Sequence, residues 1–251
     1  MNVPTPLKSM TNNLLASLSE EDLRRIVPHI EERWFEAGER LYTSGDHVET
    51  VYFPKGPSLV SFVVVTSDRH EVETVLVGRE GAVGGVVSQG HLPAYANCEV
   101  QFGGPFYAIE SARLEVAKHQ SMNLRHLFAR YADCLVAQMF QSVACNAVHT
   151  IQQRTAKWLL AAIDRTGDSE VPMTQEQLAS MLGVGRSYIS RVIRSLRDEG
   201  LLVTRRGHII AADIEKLREI SCNCNDQVRR HFDEVLKGVY PSDSVRLSSV
   251  I

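Results

Sequence analysis

The sequence predicts an α+β fold in three parts: an N-terminal antiparallel β barrel or sandwich read as a sensor domain, a long dimerisation helix, and a C-terminal winged helix-turn-helix. Three observations carry this expectation. Short β-branched and aromatic runs, punctuated by turn residues, occupy the chain up to about Ile109. Between Asn123 and Asp164 there is neither Gly nor Pro, as a long helix requires. Between Thr174 and Leu202 two helical segments meet at Gly183-Val184-Gly185, the spacing of a helix-turn-helix. The chain has 251 residues, enough for more than one module. Its 44% hydrophobic and 23% charged residues are those of an ordinary globular protein.

Residues 1–13, with Pro4 and Pro6, read as a flexible leader without the apolar stretch of a signal peptide. Residues 14–120 are the expected sensor domain. Leu14 to Ile30 shows apolar residues at helical spacing, and Ser19 followed by Glu20, Glu21 and Asp22 suits a helix amino end, where the backbone dipole is positive. Strands are expected at Arg40–Tyr42, Val51–Phe53, Leu59–Thr66, Val72–Val77 and Phe106–Ile109. Turn pieces such as Gly45-Asp46, Pro54-Lys55-Gly56-Pro57 and Gly103-Gly104-Pro105 separate them.

Residues 121–148 are the expected dimerisation helix. Leu124, Phe128, Tyr131, Leu135, Gln138, Ser142, Cys145 and His149 step by three or four and are read as a dimer seam. No charged residue occurs between Asp133 and Arg154, a gap of 20. A second strip, Leu127, Val136, Met139, Phe140 and Val143, means that such a helix must be covered on more than one side. The economical arrangement places the sensor domain on one flank and a twin helix on the other.

Residues 149–218 are the expected winged helix-turn-helix, followed at 219–251 by a C-terminal helix and a flexible tail. Thr174 and Gln177 form a capping box, so a helix starts at about Gln175 and Gly183 ends it. The second helix, Arg186 to about Glu199, turns Ile189, Val192, Ile193 and Leu196 inward. That leaves Arg186, Ser187, Tyr188, Ser190, Arg191, Arg194 and Arg197 outside, where a helix in the major groove reads base edges and grips phosphates. Thr174 and Gln175, at the start of the first helix, complete the contact set. Arg205 and Arg206 tip a hairpin between Leu201 and Ala212 that forms the wing. Charge follows the same division: −5 over residues 1–149, +3 over 150–218 and −1 over 219–251. Gly185 to Arg206 alone carries six Arg against two acids, a local footprint for double-stranded DNA on an otherwise acidic chain.

Residues 174–202 resemble the winged helix-turn-helix of the CRP/FNR superfamily of bacterial transcription regulators. The stretch Trp34 to Leu41 with Ser44-Gly45-Asp46 resembles that family's cyclic-nucleotide-binding-type β-roll, which implies that the N-terminal part is an antiparallel, jelly-roll-like β-roll sensor domain. The resemblance implies a homodimer on a near-palindromic operator, with RNA polymerase as a further candidate partner. In the family pattern an Arg opens the recognition helix, a Glu commonly follows, and a second Arg comes five residues after the first. Arg186 and Arg191 match, whereas the Glu position is Ser187. Members that bind cyclic AMP use a Gly-Glu pair and a later Arg. Here the Glu position reads Gly85 and Leu92 to Asn97 contains no Arg, so no response to cyclic AMP is expected. A cyclic-nucleotide-responsive activator is the alternative reading. Arg79 nearby is read as a salt-bridging surface residue.

No cysteine precedes Cys98, which removes the amino-terminal cysteine cluster of iron–sulfur members. Cys134 and Cys145 are read as buried small apolar residues, and His149 as a hydrogen-bonded interface residue. Cys222-Asn-Cys224 with His231 is too incomplete for tetrahedral zinc; no cofactor or metal is expected. A cupin-type metal enzyme using His47, His70 or His91 is the remote alternative, and its His-x-His pattern is missing. Five cysteines, no signal peptide and no apolar run of membrane-spanning length point to a cytoplasmic protein without a membrane partner.

Overall fold

The computed structural model describes residues 10–68, 71–86 and 92–239. Two short helices, α1 (Asn13–Ala16) and α2 (Glu20–Ile26), stand where one helix over 14–30 was expected. Each has its own cap: Asn12 Oδ1 accepts from Leu15 N, and Ser19 Oγ accepts from Asp22 N. Capping side chains satisfy the first free N–H groups and so start a new helix. The described end of the expected leader is packed, not loose. Asn12 is fully buried and its amide donates to the carbonyls of Pro54 and Gly81. Residues 1–9 of that leader lie outside the described residues, as do 240–251 of the expected tail.

Seven strands follow: β1 (Glu31–Phe35), β2 (Arg40–Tyr42), β3 (Thr50–Pro54), β4 (Leu59–Val65), β5 (Glu71–Val77), β6 (Asn97–Phe102) and β7 (Gly104–Glu110). They form two antiparallel sheets, ordered β1-β7-β3 and β2-β6-β4-β5. Inward side chains from both sheets, among them Val60, Val75, Val77, Val100 and Phe106, make the core of the roll. Phe35 sets its ring edge-on to Tyr52 and Phe106, at 5.6 and 5.4 Å. β1 and β6 were not among the expected strands. Four of the five residues of β1 are exposed, so the backbone ladder to β7 holds it. β6 buries polar Asn97 and Gln101 as well as Cys98, Val100 and Phe102. Ser44 N donates to Asn97 Oδ1, and Gln101 donates to Ser61 Oγ, which removes the cost of enclosing them.

Helix α3 (Ser111–Gln120) leads into α4 (Met122–Val148), 27 residues long. The chain breaks at His149 and restarts as α5 (Ile151–Thr166), where Thr150 and Gln153 form a complete capping box. Beyond it come β8 (Glu170–Val171), α6 (Gln175–Met181), α7 (Arg186–Asp198), β9 (Leu202–Arg205), β10 (His208–Ala211), α8 (Ile214–Ile220) and α9 (Cys224–Leu236). Strands β8, β10 and β9 make a small antiparallel sheet beside the helices. No helix among the described residues is long and apolar enough to cross a membrane.

The face of α4 read as a dimer seam is used inside the chain, which corrects that assignment. Leu124, Phe128, Tyr131 and Cys145 are fully buried in a single copy, Gln138 is buried, and Leu135, Ser142 and His149 are half-buried. Leu124, Phe128 and Tyr131 pack into the core shared by the roll, α1, α2 and the returning helix α9, where Tyr131 meets Phe232 edge-on. The Tyr131 hydroxyl donates to Ala82 O and accepts from Ala82 N, both at 2.9 Å. Gly81 permits that approach, because a Cβ there would lie 2.2 Å from the hydroxyl. Gln138 donates to Leu76 O at 3.0 Å. The strip that stays open is the second one. Phe140 and Val143 are each 71% exposed, Val136 and Met139 are each 40% exposed, and Leu127 alone of that strip is buried. The sequence spacing of the two strips is the same; only packing against the roll and α9 tells them apart.

Candidate nucleic-acid interface

Helix α6 starts at the capping box predicted for it: Thr174 Oγ1 accepts from Gln177 N, and Gln177 Oε1 accepts from Thr174 N. Gly183, at φ +65°, then reverses the chain. Its N–H donates to Ser180 O and Val184 N donates to Ala179 O, the paired bonds that close a helix end with a left-handed residue. Leu178 and Ala179 of α6 and Ile189, Val192, Ile193 and Leu196 of α7 are buried together, which fixes the angle between the helices. Helix α7 is strongly amphipathic: with that face enclosed, Arg186, Ser187, Tyr188, Arg191, Arg194 and Arg197 are exposed on the other.

Within this exposed face the side chains are partly ordered by one another. The Arg191 guanidinium lies 5.4 Å from the centre of the Tyr188 ring, a cation–π distance that restrains both. Arg186 approaches Glu176 at 3.6 Å, an exposed pair that contributes little energy but offsets some of the cationic field. Ser190 is half-buried and its hydroxyl donates to Gln175 Oε1, so these two expected contact residues hold α6 and α7 together. Thr174 is likewise engaged in its cap. The Ser190–Gln175 and Arg186–Glu176 contacts were not visible in the sequence because each joins residues on different helices.

Strands β9 and β10 pair from Arg205↔His208 to Leu202↔Ala211, which leaves Arg206 and Gly207 as the turn. Arg205 and Arg206 are both exposed there. The C-terminal half leans on the roll: Phe102 and Trp158 sit edge-on at 6.4 Å, and Arg165 pairs with Glu80 at 2.8 Å in a largely enclosed contact. Arg79, expected in a salt bridge, instead donates to the Asp164 carbonyl at 3.4 Å.

In the N-terminal half a cavity of about 970 Å³ opens between the roll and α4. Phe62, Val64 and Val75 line its wall, and Leu135 and Met139 bring α4 to it. Among its described lining residues Arg33 is the one cation, beside Glu49, Glu110 and Glu115. Tyr42 also lines it, and burial pushes its phenol above the ordinary range, so the hydroxyl stays neutral. Residues 87–91, inside the stretch compared with the cyclic-AMP pattern, lie outside the described residues. So do His70 and His91 of the metal-enzyme alternative, and His47 bridges to Pro93. The pair Cys222 and Cys224 lies beside Cys145 and His149, not His231.

Residues 153–220 match the Crp-like helix-turn-helix domain family. Solved structures similar in fold include FixK2 from Bradyrhizobium japonicum, with TM-score 0.66 and 16% identity over 77% of this chain and 98% of that one. TTHB099, a transcriptional regulator of the CRP family from Thermus thermophilus, gives 0.63 and 21% over 75% and 96%. The c-di-GMP responsive global regulator CLP of Xanthomonas campestris gives 0.62 and 16% over 78% and 100%. A sequence search of curated proteins finds no match.

Proposed function

We propose that the chain, which carries a Crp-like helix-turn-helix domain on a fold similar to that of solved structures such as TTHB099, is a CRP/FNR-type transcription regulator that acts as a homodimer on a near-palindromic operator. The observation that carries this reading is helix α7, whose apolar face is buried within the chain while its arginine face is left open. A helix of this kind enters the major groove with its first turns against base edges. Arg186 and Arg191 are the candidates for guanine O6 and N7, and Ser187 and Tyr188 lie beside them. Arg194 on α7, with Arg205 and Arg206 on the wing, supplies phosphate contacts.

The exposed strip Val136, Met139, Phe140 and Val143 is the surface for the second copy, replacing the seam that the chain itself buries. Two α4 helices joined along it would set the two α7 helices one DNA turn, about 34 Å, apart. Met139 belongs to this strip and also lines the cavity of the roll. An occupant of the cavity would therefore touch the dimer helix directly, and its differential affinity for two helix placements is what would regulate DNA binding. The three glutamates and single cation of the described cavity wall are ill-suited to a cyclic phosphate.

Selection of bound fragments from random duplex DNA, at stated salt, tests the reading. A palindromic pair of half-sites spaced by about one turn is expected. Recovery of unrelated sequences, or a single half-site bound by a monomer, overturns it. Calorimetry with cyclic AMP and cyclic GMP tests the cavity, with no heat of binding expected.

A further inference from the structure

We propose that Cys145, His149, Cys222 and Cys224 form a tetrahedral zinc(II) site that ties the end of α4 to the joint between α8 and α9. The four donor atoms all lie within 4.8 Å of one another. Cys145 Sγ and Cys222 Sγ are 3.6 Å apart, as are Cys224 Sγ and His149 Nδ1. Zinc–sulfur bonds of about 2.3 Å at tetrahedral angles put neighbouring donors roughly 3.7 Å apart, so these two edges match one ion and the other donors lie within a short adjustment of it. A polynuclear iron–sulfur cluster spreads its thiolates wider than this set. The 3.6 Å sulfur separation is also well beyond the roughly 2.05 Å of a disulfide.

Each ligand is placed by local structure. Cys145 and His149 are four residues apart, one turn along the same face at the end of α4. Cys222 and Cys224 flank Asn223, the residue that opens α9. All three sulfurs are buried, and the imidazole is half-buried. Gln141, one turn before Cys145, donates to Cys224 Sγ at 3.1 Å, the bond that orients a thiolate ligand from outside the coordination sphere. Burial of three thiols with a histidine has little value to packing alone, since among the described residues the cluster holds no other buried apolar side chain. Three thiolates and a neutral imidazole around zinc leave one negative charge, and Lys157 lines the same small cavity as Cys224.

The place in the fold gives the site a task. The chain breaks at His149 and Thr150, between the helix offered for dimer contact and the DNA-binding half. An ion bound here closes that break from the far side, so the angle between the two halves is held by metal–ligand bonds as well as by packing.

The test uses the full chain without DNA, so its result is separate from that of the operator experiment. Protein purified without chelator should carry one zinc per chain by elemental analysis. Replacement by cobalt(II) should give the intense visible bands of a tetrahedral ion and a thiolate charge-transfer band. Cys145→Ser and Cys222→Ser should remove the bands, and Gln141→Leu, which leaves all four ligands in place, should weaken zinc at least about tenfold. His231→Ala should leave stoichiometry unchanged. Apo-protein should be cut faster by protease near residues 149–151. Folded chain that takes up less than half an equivalent, cobalt spectra without thiolate bands, loss of metal in His231→Ala, or a Cys145–Cys222 disulfide that excludes zinc would each overturn the proposal.

Discussion

Trp158 on α5 donates its indole N–H to Glu73 on β5 at 2.8 Å, across 85 positions of sequence. This bond joins the DNA-binding half to the roll, beside the Phe102–Trp158 ring contact. The other carboxyl oxygen of Glu73 is enclosed and has no hydrogen-bond partner among the described residues. Burial therefore raises the Glu73 pKa from 4.5 to about 7, the Trp158 bond opposing it only in part.

A carboxyl whose pKa is raised by folding holds its proton more tightly folded than unfolded. The stability linked to it is complete below about 4.5 and lost as pH rises through about 7. Thermal unfolding followed between these values should show stability falling with pH, at up to about 1.4 kcal/mol per unit from this one group. Glu73→Gln keeps an acceptor for Trp158 and should flatten that part of the profile. An unchanged slope in Glu73→Gln would show that the carboxyl stays ionised throughout.

Arg191 and Arg205 are expected to fail differently when removed. Arg191→Ala should cost about 1–3 kcal/mol of operator affinity and relax the preference at one base pair of each half-site. Arg205→Ala should weaken all sequences alike and lower the salt slope by about one. Binding isotherms on operator and scrambled duplexes, over a range of salt, separate the two. Identical behaviour would remove the division of roles between helix and wing.

The two strips of α4 make opposite predictions. Phe140→Asp should leave each chain folded, because that side chain is exposed in a single copy, and should convert dimer to monomer in sedimentation. Phe128→Ala should cost about 3–5 kcal/mol of stability through a cavity in the buried core, while the surviving folded protein still dimerises. The reverse pattern would return the seam to its sequence-based position.

Gly183 sits at φ +65° with nothing within 4 Å of where a Cβ would be. Gly183→Ala should therefore cost about 1–2 kcal/mol from the backbone alone, without steric damage to the turn. Chemical unfolding would register this as a lower midpoint at unchanged slope. A change in slope would mean that the two helices had separated.

Local signals were legible wherever one element supplies all of its own information. The capping box at Thr174, the turn at Gly183, the inward face of α7 and the Arg206-Gly207 wing tip are each encoded within a few residues, and the structure has them where the spacing placed them. The sign change in charge between the two halves of the chain is also a property of the sequence as such. Strand β6 was hidden because its polar residues are buried against Ser44 and Ser61, so the usual alternation toward water is missing.

What needed the folded chain was every choice between equivalent partners. Two apolar strips of α4 have the same helical period, and only the arrival of α9 and the roll decides which is closed and which faces outward. Likewise Cys145 and His149 precede Cys222 by more than seventy residues, so no spacing rule links them. They meet because α9 folds back along α4 while α8 packs on α5. Short-range periodicity specifies what a segment is; the distribution of buried surface among segments distant in the chain specifies what it touches.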